Sequence, residues 1–196
     1  MHVSLIVFLF AILTIALIIS VAKSYADSVK SNTIVGSGFL IGTNKNDNIV
    51  VNPPGVSTTI DGKGGGDTIK GSNSGDQIKG GDGDDTVLSD PATGDNAGND
   101  VVFGEDGTDD LFGMGGSDLL SGGDGDDNLF GGDVNDVLTG GPGKDQLDGG
   151  TSNDILRGGP DKDVFNCGEG EDTVQDFQRG IDETPTTQCE IIKIAN

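Results

Sequence analysis

One nine-residue phrase, repeated without a gap from residue 104 to 175, constrains this chain more than any other feature. Its copies begin at Gly104, Gly113, Gly122, Gly131, Gly140, Gly149, Gly158 and Cys167. In the clearest copy, Gly122 to Phe130, glycines hold positions one, two and four, an aspartate holds position six and a leucine position eight. The sixth-position acids are Asp109, Asp118, Asp127, Asp136, Asp145, Asp154, Asp163 and Asp172. The eighth-position hydrophobes are Leu111, Leu120, Leu129, Leu138, Leu147, Leu156, Phe165 and Val174. A unit this short cannot bury its own apolar face, so the units must stack into a solenoid.

The phrase divides into a turn and a strand. Six glycine-rich residues suit a turn, because glycine reaches positive φ without a Cβ in the way. The other three form a short strand whose eighth position faces inward while the seventh and ninth face out. Turn, strand, turn, strand closes one coil in eighteen residues, so alternate repeats lie on one edge, about 4.8 Å apart. The expected fold is all-β, a parallel roll with two strands per coil.

Three earlier repeats, starting at Gly62, Gly71 and Gly80, place Asp67, Asp76 and Asp85 ahead of Ile69, Ile78 and Val87. A six-residue insertion, residues 89–94, then interrupts a turn before the frame resumes and reaches Asp100. Confined to a turn, it leaves the strand alternation intact. One edge therefore carries Asp67, Asp85, Asp109, Asp127, Asp145 and Asp163; the other carries Asp76, Asp100, Asp118, Asp136, Asp154 and Asp172. Asp47 belongs to a degenerate repeat before the first edge, with Lys45 at its fourth position. Residues 51–61 read as a bulged coil ending in Ile60.

Stacked carboxylates repel unless a cation lies between them. Calcium takes six to eight oxygen ligands in tolerant geometry, whereas magnesium demands strict octahedral order. No thiolate or imidazole cluster points to a transition metal. The twelve aspartates of the two edges are the candidate ligands. On the second edge, Ser74, Val134 and Ser152 replace the fourth-position glycine. A β-branched residue resists positive φ, so that edge is expected to bind more weakly.

The pattern Gly-Gly-x-Gly-x-Asp followed by a hydrophobe resembles the RTX, or hemolysin-type, calcium-binding nonapeptide. The likeness spans most of the chain after its leader. It implies a parallel β-roll with several calcium ions held between turns of the same edge. Such rolls elsewhere accompany toxins, proteases, lipases or epimerases, and no such cargo domain is expected within these 196 residues.

Composition agrees with that economy. Eleven Lys+Arg against 33 Asp+Glu give a formal charge of −22, with 35 glycines and 33% hydrophobic residues in 196. A chain so charged and so poor in apolar residues is expected to stay disordered without its metal. The acidity argues against nucleic-acid binding. The single histidine is His2, inside the leader, so triads and HExxH motifs are excluded and no enzyme is expected.

The chain is expected to divide into a signal peptide at 1–26 or alternatively a membrane anchor, a linker and N-terminal cap at 27–41, the roll at 42–175, and a C-terminal cap at 176–196. The apolar run from Val3 to Ala22 is long enough to span a bilayer, though Ser24-Tyr25-Ala26 suits a cleavage site. Either way the roll is expected outside the cell. Cys167 and Cys189, the two cysteines, suggest a disulfide tying the last repeat to the tail; two free buried thiols and intermolecular pairing remain open. Phe103, Phe112 and Phe130 at ninth positions are expected to face outward beside Leu88, as a docking stripe or under a flanking loop.

The functional expectation is extracellular calcium binding by a roll that folds on its metal, as a structural or adhesive surface or matrix protein. A calcium buffer or an accessory to a secreted hydrolase or toxin is the alternative. An ice-binding solenoid needs a flat outward threonine array, and the seventh and ninth positions are mixed.

Overall fold

A computed structural model describes residues 33–91, 97–182, 189 and 191–194. The expected signal peptide or anchor lies outside the described residues. Parallel strands alternate between two sheets as the chain coils. The first sheet runs, neighbour to neighbour, through β1 (Thr33–Gly36), β3 (Asn48–Val51), β5 (Thr68–Lys70), β7 (Thr86–Leu88), β9 (Asp110–Gly115), β11 (Asn128–Asp133), β13 (Gln146–Gly150) and β15 (Val164–Asn166). The second runs through β2 (Phe39–Ile41), β4 (Thr59–Gly64), β6 (Gln77–Asp82), β8 (Val101–Asp106), β10 (Leu119–Asp124), β12 (Val137–Thr139), β14 (Ile155–Arg157), β16 (Thr173–Phe177) and β17 (Ile191–Ile194).

Register follows the eighth position. Leu111, Leu129, Leu147 and Phe165 align across the first sheet, and Val102, Leu120, Leu138, Leu156 and Val174 across the second. All of these are buried, so the core is chiefly two ladders of one residue per strand, to which Val51, Cys167 and Phe177 add near the ends. A one-residue slip would turn a whole ladder out to solvent, which is what fixes the register. The insertion changes nothing inside: Ile78 still aligns with Val102 and Val87 with Leu111.

Several strands are longer than three residues. β8 to β11 each run six residues, because the first turn positions continue the ladder: Gly132 pairs with both Met114 and Gly150. The segment expected as linker and cap, 27–41, supplies the first strand of each sheet from Thr33 onward. The bulged coil places Thr58, buried, where later coils have an aspartate.

At the other end β17 pairs with β16, with a register shift between Val174 and Phe177. Phe177 packs edge-on against Phe165, centroids 6.3 Å apart. Cys167 and Cys189 form a disulfide across a Cα–Cα distance of 5.2 Å, which fastens the tail to the last repeat.

The expected aromatic stripe is split. Leu88, Phe112 and Phe130 align on the first sheet, and the two rings stack at 4.8 Å and 4°. Phe103 lies on the second sheet, aligned with Lys79 and Ser121. Consecutive repeats belong to opposite sheets, so ninth positions nine residues apart face opposite sides of the roll.

Candidate metal centre

Each sixth-position aspartate sits where a turn enters a strand, and the turns of one edge stack its carboxylate over the backbone of the coil before. The Oδ1 of Asp127 accepts the Asp109 N–H at 2.9 Å, and that of Asp145 accepts the Asp127 N–H at 2.9 Å. The whole first file follows: Asp67, Asp85, Asp109 and Asp163 accept from Asp47, Asp67, Asp85 and Asp145 at 2.7–3.0 Å. In the second file Asp76 accepts from Thr58 at 2.6 Å, and Asp100, Asp118, Asp136, Asp154 and Asp172 accept from the preceding aspartates at 2.7–2.8 Å. The structure thus brings all twelve candidates into two files, and each is at most 3% exposed.

The second carboxylate oxygen is treated differently. In eleven of the twelve, every one but Asp76, the buried Oδ2 has no hydrogen-bond partner. An uncompensated buried carboxylate oxygen is costly, and a cation is what removes the cost. Where the turn opens on a glycine, this oxygen leans over it: a Cβ on Gly122 would overlap Asp127 Oδ2, and one on Gly113 would stand 2.5 Å from Asp118 Oδ2. These glycines have ordinary φ, so they are there for room.

Positive φ belongs instead to positions two and four, as in Gly123 at 123° and Gly125 at 138°. Most turns impose it on non-glycine residues too, the turn of Ser72 and Ser74 being an exception. Lys63, Glu105 and Met114 take it at position two, and Val134, Ser152 and Asp161 at position four, with φ between 74° and 86°. Val134 and Ser152 therefore accept the conformation that β-branching and a Cβ resist, and the strain is local to each.

Position two decides whether the carboxylate stays open. Where the residue four before the aspartate keeps an ordinary φ, its N–H caps the second oxygen. Ser72 caps Asp76 at 2.7 Å, Thr43 caps Asp47 at 2.6 Å with its hydroxyl adding a bond at 2.9 Å, and Gln178 caps Asp182 at 2.5 Å. Asp76 is the one candidate whose two oxygens are both satisfied by protein donors.

Burial dominates the electrostatics. Desolvation pushes the Asp118 carboxyl up to about 8, those of Asp85, Asp127, Asp136, Asp145, Asp154 and Asp163 to about 7, and those of Asp67 and Asp109 to about 6. Asp76, Asp100 and Asp172 are raised for the same reason. The bond from the preceding backbone opposes the shift, and carboxylates of neighbouring coils add to it for most. The files hold their negative charge reluctantly, and a bound cation would favour the charged form.

Two functional residues escaped the periodic reading. Asp182 accepts the Asp163 N–H at 3.3 Å and so ends the first file. Its signal was Gly180-Ile181-Asp182, a Gly-x-Asp displaced by one residue where the chain bulges after Val174. Asp90, inside the insertion, is fully buried and had no periodic signal. The fifth-position acids have a backbone role. Asp84 and Asp126 accept the N–H groups of Thr108 and Lys144 in the next coil, and Asn99, Asn135 and Asn153 do likewise.

The donor set is oxygen alone, spread along each edge. Among the described residues no three acidic, His or Cys side chains converge as a ready ligand cluster. Each coil instead offers one open carboxylate oxygen per edge, which suits a large cation with tolerant coordination. A family model described as the RTX calcium-binding nonapeptide repeat (4 copies) matches residues 59–91, 95–120, 103–138 and 139–174, more than half of the chain. No curated protein matches it. With the period, the roll and the matched repeats in agreement, the chain belongs to the RTX calcium-binding nonapeptide-repeat family, whose β-roll binds several calcium ions.

Proposed function

We propose that this chain is a secreted or surface-tethered protein whose roll folds on calcium and holds several ions, and that the result is a rigid structural or adhesive element outside the cell. The observation that carries the reading is the set of eleven buried carboxylate oxygens without a partner. Asp67, Asp85, Asp100, Asp109, Asp118, Asp127, Asp136, Asp145, Asp154, Asp163 and Asp172 are the proposed ligands, with Asp76 the weakest candidate because Ser72 already serves it. Bound calcium supplies positive charge between turns that otherwise stack acid on acid. No catalytic role is proposed.

An outward apolar file favours an attached role over a free calcium buffer. Val101, Leu119, Val137 and Ile155 align on the outer face of the second sheet, beside Phe103. Leu119 and Phe103 are exposed and the other three half-buried, and a contiguous apolar surface of this kind is typical of a face that docks.

Far-UV circular dichroism of the calcium-stripped protein, titrated with calcium and separately with magnesium, tests the folding claim. Strand signal should appear with calcium at concentrations where magnesium leaves the chain disordered. An unchanged spectrum after stripping and calcium return sinks it. Retention on cell-envelope material in calcium, lost in chelator, is expected of the adhesive role; equal retention or none in both conditions argues for buffering.

A further inference from the structure

We propose that Asp90 and Asp100 hold a calcium ion at a site outside the nine-residue register, built by the insertion. Ser89 keeps the place of a first-position glycine: its N–H bonds the Phe112 carbonyl at 3.0 Å and its hydroxyl bonds the Gly113 carbonyl at 2.8 Å. The next residue would, in a regular turn, be a glycine of positive φ. Here it is an aspartate.

Asp90 is 0% exposed. Its Oδ2 accepts the N–H of Gly98, two residues before Asp100, at 3.2 Å, and its Oδ1 has no partner. Asp100 is 1% exposed; its Oδ1 takes the Asp76 N–H at 2.7 Å and its Oδ2 has no partner. The charge that Asp90 feels most strongly is that of Asp100, and Asp118 in the following coil feels Asp90 in turn. The Ser89 side chain lies beside Asp100, and both carboxylates are thus buried in the same turn region, each with one oxygen that lacks a hydrogen-bond partner. Asp76 adds none, since Thr58 and Ser72 occupy both its oxygens.

The ion pairs Lys63–Asp61 and Lys79–Glu105 lie on the outside of the roll and do not reach this region. Paired buried carboxylates with no thiolate or imidazole beside them select a hard divalent cation. A regular turn contributes one side-chain oxygen from its sixth position. This turn contributes a second, so the site should be among the tighter ones of the second file.

The inference rests on the reading of the roll as a calcium binder, and the test separates the two. Calcium bound to the full-length protein is counted by equilibrium dialysis for the parent, for Asp90→Asn, and for Asp106→Asn as an exposed-acid control. Asp90→Asn is expected to bind one ion fewer, with the control unchanged. An equal count with unchanged affinities overturns the Asp90 site and leaves the repeat sites standing. A parent that binds no calcium overturns both. If the variant fails to fold in saturating calcium, a calcium-loaded crystal structure of the parent decides. An ion about 2.3–2.6 Å from both Asp90 Oδ1 and Asp100 Oδ2 supports the site, and its absence there overturns it.

Discussion

Two kinds of glycine do different work in each turn, and substitutions should tell them apart. Gly122 has ordinary φ and gives Asp127 Oδ2 its room. Gly122→Ala should therefore destabilise by about 1–3 kcal/mol through crowding, and calorimetry should show weakened calcium binding at that turn. Val134 holds φ 78° at a fourth position, where a Cβ costs about 1–2 kcal/mol. Glycine would relieve this but widen the unfolded ensemble by about 0.5–1 kcal/mol. Val134→Gly should consequently stabilise the calcium-loaded roll modestly, seen as a higher denaturant midpoint; a lower midpoint would show that the valine is packed rather than strained. Much of the residue level was legible, since the sixth and eighth positions name the two acid files and the core ladder. The capping of Asp76 was hidden because it turns on the φ of Ser72, which the spacing does not reveal.

At the scale of the strand, a central element such as β11 buries a single hydrophobe and relies on its two neighbours. Leu129 meets Leu111 on one side and Leu147 on the other. Leu129→Ala should cost about 2–5 kcal/mol, and hydrogen exchange should show the loss in β9 and β13 as well as β11. An effect confined to β11 would mean that the coils are energetically independent. The period gave the strand centres, the sheet alternation and the passage of the insertion. It could not place Asp182, because one extra residue after Val174 puts the last turn out of phase with everything before it. Nor could it show that strands extend into the turns, where paired glycines carry the ladder on.

For the molecule as a whole, the acid files make stability depend on pH in opposite senses with and without metal. The folded-state values of the file aspartates lie above the ordinary 3.8, at about 6 to 8. The metal-free folded state therefore binds more protons than the unfolded chain across that interval. Its stability is greatest near pH 4 and falls as pH rises toward 8. In saturating calcium the trend should reverse, because the metal must displace those protons and binds better once they are gone. Far-UV circular dichroism with calcium removed should show more strand signal at pH 5 than at pH 8, and urea midpoints with calcium restored should rise between the same two values. A metal-free roll equally stable at both would show that the aspartates ionise freely.

The Oδ1 bonds all run one way. In every coil a buried backbone N–H reaches forward to a carboxylate that the next coil supplies. Cutting away the first coil leaves Asp67 and Asp76 Oδ1 as acceptors that a cation or water can serve, and the ladder donors it frees, Thr68 and Gln77, are exposed residues that water reaches. Removing the last one leaves the donors of Asp154 and Asp163 with nothing to bond. The stack thus has a foundation, and it is the C-terminal end, where the disulfide clamps it. Shortening from that side should topple coils in succession, while trimming from the opposite side should merely lower the height.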